Sequence, residues 1–460
     1  MKNFTKLAIE QSDGLVFGVA PKPVPTRAGL VIGGGTVYPE LNFTLPVMLL
    51  NEQSFTTARQ HYRQMATEAL ARAADLSAPG VVMEFETVPA MTEKPEWAID
   101  LCKLLLDCLA DAHAKTHLPA ALRMTPNDNR EMVRPPVMRS GRHLQDMMDV
   151  FQACAEAGAE LLSVESAGGK EVHDEAIVAA DIRQAIFALC VMGVRDMEFI
   201  WTRIAGIAAA CGVHPAGDTA CGFANTAMVL ADRKMIPRVF AAVDRAVSAV
   251  RSLVAYQCGA VGPGKDCAYE NPFLKAITGC PMSMEGKSAA CAHLSPLGNL
   301  PMAYGDLWSN ESVQNVKLLG GMAPTVSMEQ LTYDCRLLNR ASADGRQGAL
   351  KLRDWLVDSD APLDPQAYIL APDNVISIAR TIIGSGDHYQ AGRETARKAI
   401  EILRHGRQAG RVRIEARELT WLDMMASAVD SMPQEQDEFT WQMMKEVDTS
   451  KFIPAEYGLD

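Results

Sequence analysis

Three short segments of this chain end an apolar run on a side chain able to bind a metal ion. Leu161-Leu162-Ser163-Val164-Glu165-Ser166 places a carboxylate there. Ala216-Gly217-Asp218-Thr219-Ala220-Cys221 and Val261-Gly262-Pro263-Gly264-Lys265-Asp266-Cys267 each place a cysteine just past a glycine-bearing turn. Two thiolates and a carboxylate can hold a zinc ion with one position left open, at Zn–S of about 2.3 Å and Zn–O of about 2.0–2.2 Å. The spacing permits this site without requiring it. A buried cysteine commonly serves as a small apolar side chain, and Glu165 alone could cap the helix after Gly168-Gly169. Cys280 with Cys291-Ala292-His293 is a rival donor cluster, and no compact Cys-x-x-Cys pair decides between the two. Gly259 to Lys265 fits the opening of a phosphate-binding loop. Asp266 then stands where magnesium needs a hydroxyl and would repel phosphate, while Pro263 removes a backbone donor, so nucleotide binding is set aside.

The elements that must position these residues alternate between strand and helix. Strands are expected at Gly29–Gly35, Gly80–Phe85, Ala120–Met124, Glu160–Val164, Val213–Gly217, Leu253–Tyr256, Pro281–Met284 and Ala323–Ser327. Helices are expected at Thr56–Ala74, Pro95–Ala114, Ser140–Ala157, Asp174–Cys211 with a break near Gly193, Ala224–Val250 interrupted at Pro237, and Phe273–Thr278. Eight alternations between about Gly29 and Asp344 point to an α/β protein, a (β/α)8 TIM barrel spanning residues 1–345. Residues 346–460 read as an additional helical region packed on the barrel. Within it the charged run Arg393–Arg417 reads as a solvated helix face, with Arg411–Glu415 as an alternative short strand. In such a barrel, working residues come from the C-terminal ends of strands. Glu165, Cys221 and Cys267 would then follow three consecutive strands.

Composition narrows the function classes. With 460 residues, 48% of them hydrophobic, the chain can bury a large core, and its net charge of −12 argues against nucleic acid and anionic membrane as partners. The most apolar window, Ala185–Ile200, carries Arg195, Asp196 and Glu198, as a buried helix does and a membrane span does not. No apolar stretch follows Met1-Lys2-Asn3-Phe4, so no signal peptide is expected. The eleven cysteines are expected to be reduced thiols in the cytoplasm.

Several blocks then carry a family resemblance. Leu162–Ser166 with Gly168-Gly169-Lys170-Glu171-Val172, Ala216–Cys221, Ala224–Met228, Arg251–Asn271, Ala276–Gly279, Met284–Lys287, Trp308–Val313, Leu370–Asn374 and Glu456-Tyr457-Gly458 together resemble the catalytic component of the methanol:corrinoid-protein (methanol–cobalamin) methyltransferases. The resemblance covers nearly the whole chain and is weakest in the first 50 residues. It implies a zinc-dependent barrel whose metal ligands fall on Glu165, Cys221 and Cys267, in preference to Cys280, Cys291 and His293. It also implies a partner corrinoid (cobalamin) protein, whose cob(I)alamin would take the methyl group of methanol, and assembly as a homodimer or as a hetero-oligomer with that partner. Asp218 and Asp266, next to the ligands, become candidates to orient them or to protonate the leaving oxygen. Two departures, Ala220 in place of an acidic residue and Gln257-Cys258 in place of Glu-Ala, are expected beside the metal and bear on the donor. Another small methoxylated donor, a zinc thiol-methyltransferase and a non-catalytic partner-binding barrel are the alternatives.

Overall fold

Seven parallel strands frame the computed structural model, which describes residues 2–45, 48–267, 269–289, 295–314 and 316–459. They are β1 (Tyr38–Thr44), β2 (Val81–Glu86), β3 (Ala120–Thr125), β4 (Leu161–Val164), β5 (His214–Asp218), β6 (Ser283–Glu285) and β7 (Leu307–Val313). Their order is β5-β4-β3-β2-β1-β7-β6. The segment 261–264 closes the gap between β5 and β6. Val261 and Gly262 donate to the carbonyls of Pro215 and Ala216 at 2.8 and 3.0 Å, and on the other side Ser283 donates to Gly264 at 3.1 Å. Pro263 has no N–H to give to a ladder, which is why this eighth stave is irregular. The result is a (β/α)8 barrel.

The side-chain period of two along a strand sorts the barrel interior into layers. Tyr38, Val82, Ala121, Leu161, Ala216 and Leu307 make an apolar floor. Two residues further along, Glu40, Glu84, Arg123, Ser163 and Ser309 are fully buried and polar. Another step leads to Glu86, Thr125 and, just past β4, Glu165. The polar layer is held by pairing. Arg123 donates through Nε to Glu40 at 2.7 Å and through one terminal nitrogen to Ser163 Oγ at 2.7 Å and Pro263 O at 2.9 Å. Ser283 Oγ donates to the second oxygen of Glu40.

Five expected strands match β2 to β6 of this framework, and the other three need correction. Val31–Gly34 is a strand, but it pairs antiparallel with Val19–Pro25, and Leu30 and Ile32 of this hairpin pack on the apolar floor. The true first strand, β1, alternates polar Glu40 and Asn42 with apolar Leu41 and Phe43, so it lacks the continuous apolar run by which the other core strands are read, although both of its faces are buried. Leu253–Tyr256 belongs to the helix Arg238–Gln257, which is apolar and buried along most of its length, so its periodicity resembles that of a buried strand. The stave expected there is the irregular segment 261–264. Ala323–Ser327 begins the helix Ala323–Ala343 with a proline in its first turn, and the last strand is β7, where Ser309 and Glu311 interrupt the apolar run. All three missed staves carry polar residues or a proline where a core strand is expected to be apolar.

The other helices follow the expected pattern, at Phe55–Asp75, Pro95–Thr116, Gly141–Ala157, Val194–Cys211 and Asn271–Thr278. The expected helix Asp174–Cys211 is interrupted not at Gly193, where it continues through a π-helical segment, Ala188–Gly193, but at Ala180–Asp181, where Ala180 is left-handed at φ +51° and Asp181 caps the next helix. From Arg346 on, the described elements are helical, and Arg411–Glu415 links two helices without forming a strand. This part is tied to the barrel through Tyr304, whose hydroxyl donates to Leu370 O at 2.5 Å. Among the described residues no helix is long and apolar enough to cross a membrane.

Because Glu40 and Arg123 are both without solvent contact, Arg123→Met should leave Glu40 as an uncompensated buried charge and destabilise the protein by about 3–5 kcal/mol. Adding Glu40→Gln to that variant should restore part of the loss. Urea unfolding of the two variants measures this, and equal destabilisation of both would show that the pair is not what holds this layer.

Candidate metal centre

The barrel geometry brings Glu165, Cys221 and Cys267 together. Their ligand atoms, a carboxylate oxygen and two sulfurs, all lie within 4.8 Å of one another. Glu165 leaves the end of β4, and its side chain is 29% exposed. Cys221 opens a π-helical turn, Cys221–Asn225, three residues beyond β5. Cys267 follows the closing stave and is buried. A further trio, Asp266, Cys267 and Glu285, is equally close, with Cys267 Sγ 3.7 Å from the Glu285 carboxylate at the end of β6.

The loop bearing Glu165 is pinned on both of the next residues. Ser166 donates through Oγ to Asp218 at 2.7 Å, and Ala167 N–H donates to Asp128 at 2.9 Å. The diglycine that follows is sterically required. A Cβ on Gly168 would lie 2.3 Å from Asp196, and Gly169, at φ +86°, would set one 2.5 Å from the carbonyl of Ala188. The hydroxyl of Tyr457, from the C-terminal Glu456-Tyr457-Gly458 block, accepts from Gly169 N–H at 3.1 Å.

Asp218 is fully buried and faces inward to the scaffold. Besides Ser166 it accepts from Trp201 Nε1 at 2.8 Å and from Thr219 N–H at 2.8 Å, with Arg251 3.6 Å away. Burial pushes its carboxyl above the usual range against those partners. Asp266 is different. Burial opposes its charge, but Lys265 at 2.6 Å and the Ser309 hydroxyl at 2.6 Å outweigh it and hold the carboxyl down at about 2.

Lys265, the lysine of the phosphate-loop lookalike, turns into the barrel instead of toward a nucleotide. Its fully buried Nζ lies 2.6 Å from Asp266, 3.1 Å from Glu84, 3.5 Å from Glu165 and 3.6 Å from Glu86. Burial works against its charge, yet the neighbouring carboxylates raise its pKa well above the ordinary lysine value. Glu165 is pushed up to about 8, first by burial and then by the charge of Glu86, with Lys265 opposing. For Cys221 the hydrogen bond with Cys267 lowers the thiol pKa, while burial and Glu165 override it and push it up to about 11. Cys267 is raised by the same thiol–thiol hydrogen bond and by burial.

Lys265, Glu84, Glu86 and Glu285 are not among the site residues expected from sequence. The signal of the three glutamates is the same as that of Glu165: an acidic residue at or near the end of an apolar run, in Val81–Glu86 and in Ser283–Glu285. Of the two departures expected beside the metal, Ala220 does stand beside Cys221. Its N–H donates to Glu270 at 2.8 Å, and Glu270 also accepts from Ser252 at 2.7 Å. Gln257 does not. It ends the helix that precedes the closing stave, so it lies at the opposite end of the barrel, where its carbonyl accepts from Lys2 N–H and its amide oxygen meets His388 at 2.8 Å. Cys280 also belongs to that end, just before β6. Cys291 and His293 lie outside the described residues.

Comparison with known proteins agrees with this frame over its full length. The family model described as methanol-cobalamin methyltransferase B subunit matches residues 1–458. The methanol–corrinoid protein co-methyltransferase of Methanosarcina barkeri (strain Fusaro / DSM 804) is 37% identical over 464 residues, covering 99% of both chains. A chain from the crystal structure of the methanol:cobalamin methyltransferase complex MtaBC of Methanosarcina barkeri superposes with a TM-score of 0.94 at 36% identity, covering 100% of each chain. The barrel, with two cysteines and a glutamate gathered at its mouth, thus belongs to the methanol–cobalamin methyltransferase family, in its MtaB branch.

Proposed function

We propose that this chain transfers the methyl group of methanol to the cob(I)alamin of a separate corrinoid protein, using a zinc ion held by Glu165, Cys221 and Cys267. The observation that carries the reading is the convergence of those three ligand atoms within 4.8 Å at the barrel mouth. The donor set suits zinc, which takes sulfur and carboxylate ligands and keeps an open position in catalytic sites. The charge balance supports a cation as well. With Lys265 already engaged by Asp266 and Glu84, the carboxyl of Glu165 is left at about 8 and the Cys221 thiol at about 11. Protons or a metal ion must balance these groups, and a divalent ion does so without leaving the thiols protonated.

When bound, the zinc supplies Lewis-acid polarisation of the C–O bond of methanol, whose leaving group is otherwise poor. The protein's residues supply order. Asp218 and Asp128 fix the two residues after Glu165 and so fix its carboxylate. Asp266, held ionised by Lys265 and Ser309, anchors the residue before Cys267. In this reading Asp218 and Asp266 both orient the segments that carry the ligands, since each is engaged by buried donors. The corrinoid partner must present its cobalt at the C-terminal end of the strands, because the ligands sit there. We further propose that residues 1–345 form the catalytic barrel and 346–460 a helical region packed on it. Every described cysteine is a free thiol, which fits a reducing compartment, the cytoplasm.

Metal analysis of variants tests the ligand set. Cys221→Ala and Cys267→Ala should lose bound zinc, whereas Cys280→Ala should keep it, and equal occupancy in all three would overturn the assignment. The reaction is followed by the conversion of cob(I)alamin to methylcobalamin. Methanol should react with the wild type. Glu165→Gln should lose metal affinity, and Glu165→Cys should keep metal but lose most activity, because a third thiolate donates more charge to the ion. Conversion with a methyl ether and none with methanol would reassign the donor. No conversion with any donor at full metal loading would remove the enzyme reading.

A further inference from the structure

Asn225 is the last residue of the π-helical turn that Cys221 opens, and it belongs to the Ala224–Met228 block. Its side chain touches both cysteine segments. Nδ2 lies 2.5 Å from the carbonyl oxygen of Cys267 and 3.9 Å from Cys221 Sγ, while Oδ1 accepts from Arg245 at 3.3 Å. The orientation of this amide is fixed by its neighbours. A guanidinium can only donate and a carbonyl can only accept, so the amide oxygen must face Arg245 and both amide hydrogens must face the cysteines. Arg245 is itself held without solvent contact. It donates to Ala224 O at 3.3 Å and to Gln366 at 3.2 Å, and its guanidinium lies over the ring of Tyr269 at 5.0 Å.

We infer that Asn225 is a positioning residue that locks Cys221 and Cys267 into one geometry and weakens the Cys221 sulfur as a donor through an N–H···S hydrogen bond. The inference rests on the metal reading above and assigns it a further residue. Two thiolates and a carboxylate give a divalent ion an anionic ligand set, which damps its power to polarise a bound oxygen. A hydrogen bond donated to one thiolate draws charge off that sulfur and opposes the damping, as partners of metal ligands do elsewhere. The second amide hydrogen joins the loop after β5 to the loop after the closing stave. The relative placement of the two sulfurs is thereby fixed before any ion arrives.

The test uses the full-length protein loaded with Co2+, whose thiolate-to-cobalt charge-transfer band reports sulfur donor strength directly. Asn225→Asp keeps the size and the acceptor facing Arg245 but removes both N–H donors, and Asn225→Ala removes the side chain in case the added charge disturbs folding. Both should shift the band to longer wavelength because the sulfur donates more charge, release metal to a chelator roughly 10-fold faster or more because the join between the two cysteine segments is lost, and lower kcat by about 10–100-fold. The KM for methanol should stay within about twofold of wild type, as expected when an interaction matters to the transition state and not to ground-state binding. Variants that melt at a lower temperature but keep the wild-type band and metal release rate would reduce Asn225 to a packing role and overturn the inference. A wild-type protein with no thiolate-to-cobalt band would overturn the metal reading beneath it, and the two failures are distinguishable in one experiment.

Discussion

A charged group taken out of water must be paired or neutralised, and this barrel takes several acidic groups inside. Glu40 and Glu84 sit in its middle layer without solvent contact, as do Asp266 and Lys265. Arg123 meets the first of these and Lys265 the next two. Both cations are thereby engaged below the mouth. Above them stand Glu165 and two thiols, whose ionised forms Lys265, shared among four carboxylates, does not balance. The metal ion proposed above would supply the positive charge that lets all three ionise together.

The same arrangement explains why the proposed ligands come from three separate segments. A thiolate pair at neighbouring positions of one strand would point to opposite faces, since side chains alternate. Placing each donor beyond a different strand end lets all three turn toward the barrel axis. The loops that carry them are then fixed by other side chains. Asp218 and Asp128 secure the Glu165 loop, Glu270 secures the residue before Cys221, and Asn225 joins the Cys221 turn to Cys267. Tyr457 reaches the diglycine from the far end of the chain. This contact ties the C-terminal block to the loop that carries Glu165.

Much of this was legible in the sequence, and the exceptions have a common cause. Strands β2 to β6 were readable because their apolar runs dominate. β1, the stave at 261–264 and β7 were not, because Glu40, Pro263 and Ser309 stand where a core strand is expected to be apolar, and all three partner the charged interior, Pro263 through its carbonyl. Glu165, Cys221 and Cys267, which the barrel brings together, were visible as donors at the ends of apolar runs, though their choice over Cys280, Cys291 and His293 came from family resemblance and not from spacing. Lys265 was visible only as part of a failed phosphate loop. That a lysine would be folded inward against four carboxylates is a property of the closed barrel and cannot be read from one segment. Gln257 was expected beside the metal and lies at the other end, because the helix it terminates looked like a strand.

The central claim, that two sulfurs and one carboxylate hold a zinc ion here, is tested most directly by X-ray absorption at the zinc edge of the purified protein. The account predicts a shell of two sulfur atoms at about 2.3 Å together with oxygen at about 2.0–2.2 Å. A shell of nitrogen and oxygen alone, or of four sulfur atoms, would contradict it.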